Sequence, residues 1–173
     1  RHGSVEIHRL PWLSGNFFND FLKNPMLEFA YLTPFLFFYS FFKILLDRDI
    51  KVIHAQGLNG GFIAAKLGKL LNKRIVVSLQ AIYNFEKGSK LSERAKAILQ
   101  DCDKVLALSE KSKEEIERIG VSPEKLEVCY HWIDQKRLKP LNKEKIRKEM
   151  GWKKFTVLFV GRLIKIKGIE VLL

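Results

Sequence analysis

Cysteine is scarce in this chain, with Cys102 and Cys129 the only two among 173 residues. They lie far apart and neither belongs to a Cys-x-x-Cys pair. They read as two buried thiols of a reducing compartment, which excludes a disulfide framework. Histidine is also thin: His2, His8, His54 and His131 show no ligand spacing, so no metal is expected. No signal-peptide pattern, internal repeat or low-complexity tract stands in these residues. Acidic residues are outnumbered, 19 against 31 Lys and Arg, for a net charge of +12. Residues 135–173 hold 12 Lys and Arg and 3 Asp and Glu, so +9 of that charge lies there. A basic segment suits phosphate groups, and charge alone leaves nucleotide, nucleic acid and anionic lipid open. What is plentiful is apolar: 47% of residues, beside 29% charged, the balance of a folded globular chain.

The stretch from Ile50 to Gln80 organises the rest. Ile50 to Ala55 is short and β-branched, the pattern of a strand buried on both faces. Gly57, Asn59, Gly60 and Gly61 break it as a glycine-rich loop. From Gly61 to Leu71 apolar residues recur at helical spacing, Asn72 and Lys73 close the helix, and Ile75 to Leu79 is a second buried strand. Strands joined by a helix of this length are expected to be parallel. Ligands of such sheets sit beyond the carboxyl ends of the strands. His54, Gln56, the Gly57–Gly61 loop and Gln80 are therefore expected on one rim.

Elsewhere the chain alternates in the same way. Val5 to Leu10 reads as a strand ended by Pro11, and Trp12 to Asn24 as a loop. Phe29 to Leu46 carries one charge, Lys43, among dense aromatics. Its length just reaches that of a membrane span, but Pro34 and the strand that follows at once argue for a buried or interfacial helix. Ser89 to Gln100 reads as a helix and Lys104 to Leu108 as a strand. Ser112 with Glu115 has the pattern of a capping box for a helix stopping at Gly120. Leu126 to Tyr130 is the next strand. The polar run Lys136 to Pro140 is the expected boundary between residues 1–138 and 139–173. Asn142 is placed to cap a helix through Met150, and Phe155 to Val160 reads as a strand opening a second domain. Strands alternating with helices make this an α/β chain with a Rossmann-like parallel sheet. Both of its ends are expected to be cut.

Several of these stretches resemble the GT-B glycosyltransferases of family 4. They are Val52-Ile53-His54-Ala55 with its Gly-rich turn, Val76-Val77-Ser78-Leu79, and Asp103 to Ser109. Glu127 to Asp134, followed by Leu138-Lys139-Pro140, is similar to the end of that family's N-terminal domain. Val157-Leu158-Phe159-Val160-Gly161-Arg162-Leu163 with Lys167-Gly168 resembles the opening of its nucleotide-binding domain. The resemblance implies a GT-B fold and a retaining hexosyl transfer from a nucleotide-sugar such as a GDP- or UDP-hexose to a glycan or lipid-linked acceptor. It implies no metal and no further cofactor. A cytoplasmic protein is expected, with peripheral contact at the inner face of a membrane and no nucleic-acid partner. The family's acceptor loop and paired glutamates are not in these residues, so the piece alone is expected to be inactive.

The resemblance assigns Gly161, Arg162 and Lys167 to the donor diphosphate. Arg162 offers a planar fork of donors and Lys167 a compact charge, both suited to an anionic leaving group. Gly60, Gly61, Gln80 and His54 are the candidates for the acceptor side. Gln80 stands where the family commonly has histidine, and an amide hydrogen-bonds without titrating near neutral pH. No other catalytic candidate emerges. Two alternatives stay open: a basic protein that binds nucleic acid or anionic membrane, and a GT-B sugar-nucleotide epimerase. The basic segment lacks interleaved aromatics and any recognised nucleic-acid motif.

Overall fold

A computed structural model describes residues 5–9, 25–81, 83–163 and 167–172, for 25–29 the backbone only. It divides into two compact units, Arg1–His131 and Trp132–Leu173, a break somewhat earlier than the polar run suggests. In the first unit β1 (Val52–Gln56), β2 (Arg74–Leu79), β3 (Lys104–Ala107) and β4 (Leu126–Val128) lie side by side in chain order. Every pairing is parallel. Helix α1 (Pro25–Leu46) precedes the sheet, and α2 (Gly57–Leu71), α3 (Lys90–Gln100) and α4 (Glu110–Arg118) link its strands.

A sheet that steps in one direction, with crossovers of one hand, carries its linking helices on one face. Burial follows that rule. Ile75, Val77 and Leu79 of β2 and Val105 and Ala107 of β3 are buried with Ala64 of α2, Ala95 and Leu99 of α3, and Ile116 of α4. The alternate residues Val76 and Leu106 are only half-buried. Strands buried on both faces are thus corrected to one helix-covered face. The other face carries His54, Gln56, Val76, Ser78 and Leu106 in register.

Local chemistry places the helix ends. Gly57 takes φ +71° directly after β1 and turns the chain into α2. The expected Gly57–Gly61 loop is therefore the first turn of a helix. Asn72, at φ 52°, closes α2 in the left-handed region. Ser89 accepts from the amide of Ser92 at 3.1 Å to cap α3. The cap of α4 falls on Ser109, which accepts from Ser112 N at 3.2 Å. Ser112 and Glu115 are buried inside that helix and do not form the expected capping box.

Helix α1 confirms a helix across 29–46 and includes Pro34. Ile44 is buried on α2 beside Ile63 and Leu67, with Leu36, Phe37 and Phe41 packed against them. Phe35, Phe38, Phe42 and Leu45 face outward and are exposed. Among the described residues no helix is long and apolar enough to cross a membrane. The expected strand Val5–Leu10 is reduced to an isolated bridge at Val5, with Glu6 to Arg9 irregular. Leu10 and the Trp12–Asn24 loop lie outside the described residues.

The second unit is sparser. Helix α5 (Lys143–Glu149) is capped as expected, Asn142 accepting from Lys145 N at 2.9 Å. Helix α6 (Ile169–Leu172) is a single turn. Phe155–Val160 forms no strand, which corrects the sequence reading. A strand needs a neighbour to pair its backbone groups, and no other strand occurs among the described residues of this unit. Most of its side chains stay in water, Phe155 at 93% exposure.

Candidate functional site

The carboxyl ends of β1 and β2 bring four polar side chains together on the face without helices. Parallel pairing sets Gln56 beside Ser78, with His54 two residues before and Gln80 two residues after. Side chains two apart share a face of a strand, so this juxtaposition follows from register alone. His54 Nε2 lies 2.7 Å from Ser78 Oγ and 3.4 Å from Gln56 Nε2. Gln80 Nε2 donates to Gln56 Oε1 at 2.6 Å. The result is one chain of contacts, Ser78–His54–Gln56–Gln80. Ser78 is buried, while Gln56 and Gln80 are exposed at the rim.

Beside it a cavity of about 50 Å³ opens across the ends of β2, β3 and β4. Ser78, Gln80, Leu106, Leu108, Cys129 and His131 line it. That volume suits a single polar substituent or a water rather than a whole sugar ring. On the helix side of the rim, Tyr83 stacks on Phe85 at 5.2 Å between ring centroids. Burial pushes the Tyr83 phenol above its ordinary range, and a hydrogen bond to the Leu58 backbone partly opposes this.

The expected rim residues are thus only partly brought together. His54 and Gln80 join through Gln56. Gly60 and Gly61 lie in the first turn of α2. The position where Gly61 lacks a side chain is 3.2 Å from Val77 and 3.3 Å from Ile98, inside the core. A Cβ on Gly60 would meet Ala55 at 3.5 Å. Their small size therefore serves helix–sheet packing, and any contact with substrate falls to the backbone amides of that turn. Arg162 and Lys167 are exposed and make no ion pair among the described residues. Gly161 sits 3.2 Å, by its missing Cβ, from the ring of Phe159. Among the described residues no group of three or more His, Cys, Asp or Glu is placed to hold a metal ion.

Cys129 corrects the reading of two buried thiols: Cys102 is buried, but Cys129 is exposed. It lies one residue past the end of the edge strand β4, beyond the reach of the helices. Ser78, Cys129 and His131 escaped attention as site residues, and Gln56 was expected on the rim but given no role there. For Gln56 and Ser78 the signal was present, as polar residues at every second position where two paired strands end.

The family model described as Glycosyltransferase Family 4 matches residues 10–137, most of the chain. The chain belongs to glycosyltransferase family 4. An uncharacterized glycosyltransferase of Methanocaldococcus jannaschii is 27% identical over 98% of this chain. The chain spans 44% of that relative's length. Among solved structures, Anabaena HepE in complex with UDP aligns with a TM-score of 0.57 at 18% identity, over 67% of this chain and 32% of HepE. HepE in complex with UDP-glucose aligns at a TM-score of 0.50 and 20% identity, over 58% of this chain and 29% of that one. Both likenesses bear on the fold, and they match the family 4 sheet described above.

Proposed function

We propose that the full-length protein is a retaining hexosyltransferase that moves a sugar from a nucleotide-sugar donor to a glycan or lipid-linked acceptor. Membership of family 4 across residues 10–137 is the observation that carries this reading. The solved relatives with UDP and UDP-glucose support a uridine diphosphate sugar as donor, ahead of a GDP-sugar. In this reading Arg162, Lys167 and the Gly161 backbone receive the donor diphosphate. Their charge stabilises the departing phosphate in place of a metal ion. Gln80 and His54 face the acceptor, with the backbone of the Gly60–Gly61 turn nearby. The exposed stripe Phe35, Phe38, Phe42 and Leu45 of α1 supports peripheral contact with a membrane carrying a lipid-linked acceptor, at its cytoplasmic side.

The test uses the full-length protein. Thermal shift against UDP- and GDP-hexoses is expected to select a UDP-hexose. Transfer to glycan and lipid-linked acceptors is then followed by NMR of the product's anomeric centre. Retained configuration is expected; inversion overturns the mechanism, and neither binding nor transfer with any nucleotide-sugar overturns the function. Cleavage of anionic vesicle binding from activity is checked by Phe38→Ser, which is expected to weaken flotation with vesicles and leave turnover of a water-soluble acceptor unchanged.

A further inference from the structure

The four-residue contact chain at the rim has a direction. Gln80 spends an amide hydrogen on Gln56 Oε1 at 2.6 Å. Gln56, its oxygen engaged, has only its NH₂ to turn toward His54 Nε2, 3.4 Å away. The His54 tautomer that matches this donor carries its proton on Nδ1 and presents a lone pair at Nε2. In that tautomer Ser78, 2.7 Å from the same nitrogen, donates its hydroxyl hydrogen to the one lone pair, which the longer Gln56 contact shares. The two amide orientations are consistent with one another, each donor meeting an acceptor. At the far end, Gln80 Oε1 has no hydrogen-bond partner among the described residues, and Gln80 lines the 50 Å³ cavity.

We propose that Ser78, His54 and Gln56 are positioning residues that lock the Gln80 amide with its carbonyl oxygen free, so that Gln80 accepts a hydrogen bond from a hydroxyl of the sugar acceptor. A free glutamine amide offers either end to a ligand and loses rotamer freedom on binding. The chain removes both costs in advance, and the amide selects for a hydroxyl that donates. The role is recognition and not proton transfer, because an amide does not titrate near neutral pH. The inference rests on the transferase reading only for the identity of the hydroxyl-bearing ligand.

Two measurements on the full-length protein test it. In the first, the side-chain amide signals of Gln80 are followed by ¹⁵N NMR in the native protein and in Gln56→Met. Restricted, hydrogen-bonded amide protons are expected in the native protein and a solvent-averaged signal in the variant. Identical signals overturn the relay whatever the enzyme's activity. The second is kinetic, with the UDP-hexose and acceptor that the assay above selects. Gln80→Met is expected to raise the acceptor KM about tenfold with kcat nearly unchanged, the loss of one neutral hydrogen bond made in both ground and transition states. Gln56→Met should lose most of the same factor, and the double variant no more than Gln80→Met alone. Independent, multiplicative losses, or an unchanged acceptor KM, overturn the recognition role. Where the native protein transfers no sugar, titration with glucose decides instead: Gln80 amide signals are expected to shift in the native protein and not in Gln56→Met, and no shift overturns the proposal.

Discussion

At Cys102 the thiol donates to the carbonyl oxygen of Ile98 at 3.3 Å, and burial pushes its pKa up to about 12. Lys125 opposes that rise and Asp101 and Asp103 add to it. The folded state therefore holds this proton to higher pH than the unfolded chain, whose thiol keeps its ordinary value of 9.0. Below about 9 both states are protonated and the full contribution to stability is present; it is lost as pH rises from 9.0 toward about 12. Cys102→Ser keeps a donor for Ile98 but has no thiol to ionise. The stability gap between native protein and variant is expected to narrow across that window in urea titrations, and a constant gap refutes the argument. A thiol reagent at pH 8 should label exposed Cys129 and spare Cys102. Arg162 is the other residue-scale case, argued from chemistry rather than burial. In the full-length protein Arg162→Ala is expected to lower kcat by about a hundredfold or more, beyond any rise in donor KM, as for loss of a main electrostatic stabiliser. Arg162→Lys should recover only part, since the planar fork is gone. Equal damage from neighbouring Lys165→Ala would mean that bulk charge, not this side chain, matters.

Elements show which signals in the chain reached the fold. Helix α2 and strands β1 and β2 were legible because apolar spacing, left-handed Asn72 and β-branched runs all act within a few residues. The start of α2 was not. A cluster of glycines reads as a loop, whereas here only Gly57 uses the freedom of positive φ, and the others clear space for packing. Gly68 makes this measurable. A Cβ there would collide with the Ile75 side chain and lie 3.0 Å from the Lys73 carbonyl oxygen, a backbone atom that cannot step aside. Gly61 faces only side chains, at 3.2 Å and beyond. Gly68→Ala is expected to destabilise the fold by about 1–3 kcal/mol, the range for overpacking a filled core, and Gly61→Ala by less. Ile75→Val in the Gly68→Ala background should recover part of the loss, a coupling expected only of residues in contact. Denaturant midpoints with unchanged slopes check the series, and the reverse order of the two glycines refutes it. The polar relay at the ends of β1 and β2 illustrates the other limit. His54 and Gln80 stood out in the sequence one at a time, but their partnership depends on a parallel register that sets residue 56 beside residue 78. No local pattern contains that pairing.

Across the whole chain, buried apolar surface is distributed unequally between the two units. Among the described residues each buried hydrophobic one, from Ile44 to Leu126, belongs to the first unit. Among the described residues of Trp132–Leu173 none is buried, and Val160 and Val171 stand 85% and 91% exposed. Ordering a backbone costs about 1–2 kcal/mol per residue, which only burial and satisfied hydrogen bonds offset. The first unit meets that cost with a four-stranded core packed by three helices. Among its described residues the second has two short helices, one of a single turn, and little to oppose opening. Protection against amide exchange follows the free energy of the opening that exposes each hydrogen. The slowest amides of this chain are therefore expected in β2 and β3, at Val77, Leu79 and Val105, exchanging only through global unfolding of the first unit. Residues 132–163 and 167–172 should exchange through local opening, at rates insensitive to low denaturant, and proteolysis should cut there first. Native-state exchange read by NMR or mass spectrometry decides the matter. An amide of Phe155–Val160 as protected as Val77 would show a core in the second unit that these side chains do not form.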